Sequence, residues 1–158
     1  MIYDAAQDLD SQGRVIHSPL PFHAIKTMTF AGGTLNDPGD IDGTHNPATL
    51  FTVTGDVLVM LVAVCKDTLV GAATLEVGVT GATASLLAQI ANATALAVNE
   101  GYVDATPTLA EAFTLAHHVI GGGLDIIQTL ASANITAGEI DYHCYWLPLS
   151  EDGNVVAA

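Results

Sequence analysis

The longest apolar run in the sequence is VLVMLVAVC, residues 57–65, which lies between Asp56 and Lys66. A helix that crosses a membrane needs about 18 or more consecutive apolar residues, so this run is too short to be one. Its length is that of a strand, and a strand directs alternate side chains to opposite faces of its sheet. Because both faces of this strand are apolar, we expect it to lie centrally in a sandwich or to be covered by a neighbouring subunit.

Short apolar segments recur along the rest of the chain and are separated by Gly, Asn, Asp and Pro. They are residues 25–30, 49–55, 56–67, 73–81, 124–131 and 139–147. This spacing predicts an all-β fold, either an antiparallel β-sandwich or a jelly-roll-like barrel, with room for one short helix. The linker SANITAG, residues 132–138, is short and contains Asn and Gly, which predicts a hairpin between the last two segments.

Two stretches have local features of helices. Residues 83–99 are rich in Ala and carry apolar residues at helical spacing. Residues 106–120 contain Thr108 and Glu111, which are spaced as a capping box, and the glycines at 121–123 are a helix stop or a turn between strands. β-Branched neighbours and flanking strands favour the extended state. The residues alone therefore leave helix and strand open in both stretches.

The chain is long enough for one domain of 158 residues. Residues 1–24 are polar and contain Pro19 and Pro21, so we expect an extended N-terminal arm there. Residues 25–149 form the predicted β-sandwich domain, and residues 150–158 form a polar C-terminal tail that orders on contact with a neighbour. Deleting this tail is then expected to weaken assembly more than folding.

The charge of the chain is strongly one-sided, with 17 acidic residues against 3 basic ones and a net charge of −14. Such a field repels phosphate, so we expect no binding to nucleic acid or to a membrane surface. Half of the residues are hydrophobic, which predicts subunit contacts that hide apolar surface. The first residues are acidic and unlike a signal peptide, so synthesis in a cytoplasm is expected.

The segment EIDYHCYWL, residues 139–147, places a His beside a Cys, which resembles a metal site. Alternation along a strand directs Glu139, Asp141 and His143 to one face and Cys144 to the other, so His143 and Cys144 do not converge on one ion. The acidic row is either an ion ligand set or a solvated face, and the solvated face is favoured. Cys65 and Cys144 both lie in apolar surroundings, which predicts buried free thiols.

The loop NDPGDIDGTHN, residues 36–46, gathers Asp37, Asp40 and Asp42, whose oxygens are the ligands that Ca²⁺ prefers. Its spacing differs from an EF-hand, so a solvated acidic loop is favoured and the question of a divalent cation stays open.

The histidines lack a zinc-site spacing. His117 and His118 are adjacent, and His17, His23 and His45 lie in polar segments typical of a surface. Motifs for a nucleophile or for phosphate binding are absent from the sequence, so we assign no catalytic, cofactor or metal residue and predict that the protein is not an enzyme.

The last quarter of the chain, IGGGLDIIQTLASANITAGEIDYHCYWLPLSEDGNVVAA, residues 120–158, resembles a family of small virion proteins of tailed bacteriophages. The similar elements are the Gly-rich turn, the segment ANITAG, the aromatic strand with Cys144 and Trp146, and the ending PLSEDGNVV. The middle blocks FTVTGDVLVMLVAVCKD and ATLEVGVTGATASLLAQI are similar in order and spacing. The resemblance is one of pattern and contains no catalytic motif.

The resemblance implies a β-rich capsid decoration or cement protein that binds the major capsid protein as a homotrimer. Such a protein is made in the host cytoplasm, lies on the virion's capsid surface, and needs no enzymatic residue or cofactor. The resemblance also favours strands for most of residues 83–99 and 106–120. The alternatives are a tail, neck or fibre component of the same virion and, from another class, a metal-dependent β-barrel enzyme or a ligand binder.

Overall fold

The computed structural model describes Leu20, residues 22–109 and residues 115–158. Within these residues the fold is a sandwich of two antiparallel sheets that are not closed into a barrel. The predicted all-β class and β-sandwich are confirmed. In chain order the strands are β1 (Phe22–Thr29), β2 (Ala48–Thr54), β3 (Val57–Val70), β4 (Thr74–Val79), β5 (Ala82–Ile90), β6 (Gly101–Tyr102), β7 (His118–Ile120), β8 (Ile126–Ala131), β9 (Ala137–Pro148) and β10 (Asn154–Ala157).

The first sheet has the order β1-β9-β3, and both β6 and β7 pair with the far edge of β3. The second sheet has the order β10-β2-β8-β4-β5. The longest strands, β3 and β9, pair side by side from Val57 opposite Pro148 to Val70 opposite Ala137. The apolar run at 57–65 is thus central in its sheet. This was one of the two environments predicted for it, the other being cover by a neighbouring subunit.

The core lies between the two sheets and is filled by alternate residues of each strand. On β3 the inward residues Val57, Val59, Leu61, Ala63 and Cys65 are all buried. The outward residues between them are only partly buried. The second sheet therefore covers one face of β3 completely, and its other apolar face remains partly open.

A buried hydrogen bond joins the two sheets across the core. The hydroxyl of Tyr142 on β9 donates to the side-chain oxygen of Gln128 on β8 at 2.7 Å. Both side chains are almost completely buried, and burial raises the pKa of Tyr142 well above its usual value. The phenol therefore stays protonated and remains a donor at any ordinary pH.

The hairpin predicted at residues 132–138 is wrong. β8 belongs to the second sheet and β9 to the first, so this segment crosses from one sheet to the other. Its apolar residue, Ile135, is fully buried, and its backbone N–H donates to the carbonyl of Gly39 at 2.9 Å. The prediction failed because Asn and Gly fit a crossing between sheets as well as they fit a hairpin. Burial of the apolar side chain of Ile135 favours the crossing.

The segment 150–158, predicted to be a tail, instead contains strand β10. It pairs with β2 from Asn154 opposite Thr54 to Ala157 opposite Phe51. Val155 is buried against the core with 3% of its surface exposed. Two consecutive β-branched residues suit an edge strand, and this local preference was missed because the preceding SEDG turn is polar.

The predicted N-terminal arm, residues 1–24, lies mostly outside the described residues. Within the described part, Phe22 already begins β1 and residues 22–24 pair with β9, so the sandwich starts earlier than the predicted residue 25. Leu20, still closer to the N-terminus, is buried with 3% of its surface exposed. At least these residues of the arm therefore belong to the folded domain.

Where they are described, the two stretches with helical features contain no α-helix, and strands account for less than half of each. Residues 82–90 form β5, and a single 3₁₀ turn follows at Ala93–Ala95. β5 pairs with β4 through two register shifts, which fit its irregular alternation of apolar residues. Within 106–120 the strand is limited to β7, and residues 110–114, including Glu111 of the capping box, lie outside the described residues. The three glycines form the turn between β7 and β8.

Candidate interaction surface

The outer face of the first sheet, which we call the open face, is largely apolar. This face is apolar because β3 is not amphipathic: its residues 58, 60, 62 and 64, which point away from the core, are apolar like the inward ones. Its members are Ile25 on β1, Leu58, Met60, Val62 and Val64 on β3, Val119 on β7, and His143, Tyr145 and Leu147 on β9. Val119 is 68% exposed and Ile25 is 48% exposed, so apolar surface reaches solvent at both edges.

A shallow groove of about 340 Å³ lies in the open face. It is lined by Met60, Val62, Val64, Leu115, His143 and Tyr145. The β-sheet register explains this grouping, because Val62 lies opposite His143 and Met60 lies opposite Tyr145. The groove is therefore a row of apolar side chains on β3 beside a row of aromatic and imidazole rings on β9.

A pair of histidines stands beside the groove. The Nε2 atom of His23 on β1 lies 3.2 Å from the Nδ1 atom of His143 on β9. The two ring planes differ by 12° and their centroids are 5.4 Å apart, so the rings meet end to end through one N–H···N hydrogen bond. One ring must donate and the other accept, which requires at least one of the facing nitrogens to be unprotonated.

The ring of His23 also stacks on Tyr145, with the centroids 4.3 Å apart and the planes within 5°. Burial, and then the neighbouring His143, lower the pKa of His23 below the usual 6.5. Both effects disfavour the charged imidazolium. The ring of His23 is therefore mostly uncharged at neutral pH, which is compatible with an apolar surface.

The predicted acidic row occupies one end of the open face. Thr27 donates to Asp141 at 2.5 Å, and Thr29 donates to Glu139 at 2.7 Å, both across the β1–β9 pairing. Alternation along β9 is confirmed, since Cys144 is buried in the core while His143 points outward. In the described part of the chain, no group of three or more His, Cys, Asp or Glu side chains is arranged to hold a metal ion.

The carboxylates of the acidic loop stabilise its backbone. Asp40 is 4% exposed and accepts N–H donors from Asn36 at 3.0 Å and Asp42 at 3.1 Å. Asp37 accepts from the backbone and the hydroxyl of Thr34. This loop is therefore held by its own side chains, and the two candidate oxygen ligands Asp37 and Asp40 already have hydrogen-bond donors.

The two cysteines are buried free thiols, as predicted. Burial raises the pKa of Cys65 to about 11 and that of Cys144 to about 12. The reactive thiolate is the charged form that burial disfavours. At neutral pH both side chains therefore behave as small apolar groups of the core.

Among the described residues, the other candidate histidines are His45 and the adjacent His117 and His118, and His45 lies apart from that adjacent pair. His45 lines a groove between β1 and β2 with Lys26, whereas His118 lies on β7 at the other side of the sandwich. His17 is outside the described residues. The sequence did not predict the His23–His143 pair because its two members are 120 residues apart. The pairing of β1 with β9 brings them together.

The outer face of the second sheet is richer in polar side chains, although Ile127 and the half-exposed Val156 also lie on it. It carries Thr49, Thr52 and Thr54 on β2, Thr129 on β8 and Glu76 on β4. Glu76 accepts a hydrogen bond from Gln89 of β5 at 2.8 Å. The sandwich thus has one threonine-rich outer face, which suits solvent, and one apolar outer face, which suits protein contact.

Comparison with known protein families, with curated proteins and with solved structures finds no match to this chain. In the part of the chain that is described, no helix is long and apolar enough to cross a membrane.

Proposed function

We propose that this protein is a non-enzymatic structural protein of a tailed-phage virion and that it decorates the head shell. The observation that carries the proposal is the asymmetry of the sandwich, in which one outer face is apolar and the other is rich in threonine. A subunit whose role is assembly needs such a contact surface.

The residues that carry the resemblance support this proposal. Residues 120–158 run from the end of β7 through β8, β9 and β10 and so contribute to both sheets of the sandwich. The resemblance therefore concerns the framework of the domain. On this basis the protein binds the major capsid protein on the outside of the head as a homo-oligomer, for which the resemblance implies a trimer.

The charge of the chain supports a position on the outside of the shell. A net charge of −14 repels packaged DNA. A protein that assembles around a DNA-filled head without binding its contents benefits from this repulsion. This function assigns no catalytic role to the buried thiols or to the hydrogen-bonded carboxylates of the acidic loop.

The test is to incubate the purified full-length protein with DNA-free heads of the phage that encodes it and to sediment the heads. We expect saturable co-sedimentation, and density for the protein at regular positions on the shell in electron micrographs. Tails purified from the same phage serve as the control. Density confined to the tail, neck or fibres would replace the capsid assignment with the alternative, and protein left in the supernatant with both particles would refute both.

A further inference from the structure

We propose that His23 and His143 together bind a divalent transition-metal ion of the Zn²⁺ type, which joins the edge strand β1 to β9. The inference goes beyond the proposed function and is independent of it, since it concerns the purified protein without a capsid. It rests on the distance between two imidazole nitrogens, on the exposure of the rings and on the carboxylates that surround them.

The separation of the two facing nitrogens is close to that of two ligands on one ion. Nε2 of His23 and Nδ1 of His143 lie 3.2 Å apart, and either ring nitrogen of a histidine binds metals. Two nitrogens bound to a tetrahedral Zn²⁺ at about 2.0–2.1 Å each are roughly 3.3–3.4 Å apart. The pairing of β1 with β9 therefore already holds the rings at a suitable distance. The ring that donates the N–H···N bond takes its other tautomer, so that both facing nitrogens present a lone pair to the ion.

A limited rotation of the rings directs both lone pairs at the ion. Without the ion the rings meet end to end, so the facing nitrogens point at each other. Seen from each nitrogen, an ion bound by both lies at about 40° to the line between them. Because the ring planes differ by only 12°, both lone pairs turn toward the same side of that line. His23 is exposed on the edge strand β1, so the rotation leaves the core unchanged.

Carboxylates near the pair attract a cation to it. Asp141 and Glu139 precede His143 on the same outward face of β9, and Asp67 of β3 lies opposite Glu139. Together with the net charge of −14, these groups raise the local concentration of cations at this end of the open face. Asp141 already accepts a hydrogen bond from Thr27, so its part is to attract the ion and the two imidazoles are the ligands.

The ligand set determines which ions bind and how tightly. In the described part of the chain, no third His, Cys, Asp or Glu completes a cluster, so water occupies the remaining positions around the ion. Imidazole suits Zn²⁺, Ni²⁺ and Cu²⁺, whereas Mg²⁺ and Ca²⁺ take oxygen ligands. Half of the binding free energy of a closed four-ligand zinc site corresponds to a dissociation constant of roughly 1–200 µM. We expect Zn²⁺ to bind in this range and Cu²⁺ to bind more tightly.

The bound ion holds an edge strand in place. β1 lies at the edge of the first sheet and pairs there with β9. The two histidines are 120 residues apart in the sequence, so the unfolded chain does not hold them together. An ion that needs both rings binds the folded protein and stabilises it by linkage.

The experiment is a calorimetric titration of the metal-free, full-length protein with Zn²⁺ at about pH 7.5. Circular dichroism first establishes that each variant keeps the strand spectrum of the parent. His23→Gln and His143→Gln each remove one ligand, so each should weaken the binding of Zn²⁺ at least about tenfold. The matched control is His45→Gln, which changes a histidine in the groove between β1 and β2 and should bind Zn²⁺ as the parent does.

Two further measurements separate this site from general attraction of cations by an acidic chain. Mg²⁺ in about 100-fold excess should leave Zn²⁺ bound, because Mg²⁺ takes oxygen ligands. Zn²⁺ should raise the melting temperature of the parent and of His45→Gln, and should leave those of the other two variants nearly unchanged. No binding at about 1 mM Zn²⁺, unchanged affinity in either His23→Gln or His143→Gln, or displacement of Zn²⁺ by Mg²⁺ would each overturn the proposal.

Discussion

At the scale of single residues, the bond between Tyr142 and Gln128 is a side-chain hydrogen bond inside a largely apolar core. Replacing Tyr142→Phe removes the donor and leaves the buried oxygen of Gln128 without its partner, which costs about 1–3 kcal/mol of unfolding free energy. Urea denaturation measures this difference. The control is the double variant with Gln128→Leu, which should recover part of the loss because no unpaired oxygen remains. A single variant as stable as the parent would show that the bond contributes little.

The two cysteines give a second prediction at this scale. Their pKa values of about 11 and about 12 lie far above neutrality, so the thiolate fraction is small at pH values near 8. In the folded protein we expect both thiols to react with a disulfide reagent far more slowly than after denaturation in guanidinium chloride. The reagent's absorbance follows the reaction. Rapid modification of either thiol in the native state would contradict the burial described above.

Residue patterns predicted part of the candidate surface and missed its centre. Alternation along residues 139–147 correctly separated His143 from Cys144, because period two is a local property of a strand. It gave no indication of His23 as the partner of His143. That partnership depends on pairing between strands far apart in sequence, which a local pattern does not contain.

At the scale of the elements, the crossing segment between β8 and β9 gives a third prediction. Gly39 has a φ of 102°, and a Cβ there would collide with the carbonyl oxygen of Ile135. Gly81 also has a positive φ, of 86°, but a Cβ there would meet no atom within 4 Å. Gly39→Ala should therefore destabilise the fold by more than about 2 kcal/mol and Gly81→Ala by about 1 kcal/mol. Equal losses of unfolding free energy in the two variants, measured by thermal or urea denaturation, would contradict this. They would show that the contact between a Cβ at position 39 and the carbonyl oxygen of Ile135 is relieved without cost.

The strand β10 changes the expectation for the C-terminal residues. Because Val155 is buried in the core and β10 pairs with β2, removing residues 150–158 should weaken folding itself. A narrower test compares Val155→Ala with Val156→Ala, whose side chains lie on opposite faces of the strand. We expect a loss of about 1–3 kcal/mol for the inward residue and less than about 0.5 kcal/mol for the outward one. Equal losses would indicate that β10 is not docked as described.

Strands β1 to β4, β8 and β9 were predictable because their apolar residues are local and regular, as in residues 57–65 and 73–81, whereas β10 was expected to be a tail. The sheet to which each strand belongs was not predictable, as the incorrect prediction of a hairpin at residues 132–138 shows. A seven-residue connection with Asn and Gly serves a hairpin or a crossing equally. The choice depends on the burial of Ile135 against residues a hundred positions earlier, so it is decided by tertiary packing.

At the scale of the whole molecule, the net charge of −14 predicts how association responds to salt. Screening weakens the repulsion between copies and leaves apolar contact nearly unaffected. We therefore expect the proposed homo-oligomer to become tighter as sodium chloride rises from about 0.05 M to about 0.5 M. Sedimentation at constant pH measures this. Weaker association of the subunits at high salt would mean that attraction between opposite charges dominates the contact.

The long pairing of β3 with β9 has a mechanical consequence. Hydrogen bonds between antiparallel strands lie perpendicular to the strands, so a pull along the strand axis shears many of them together. A pull across the sheet peels them apart one at a time. With strands of 14 and 12 residues side by side, the sandwich resists stretching along this axis far better than across it. A subunit fixed to a shell under internal pressure would withstand the load best with β3 and β9 aligned to the direction of strain.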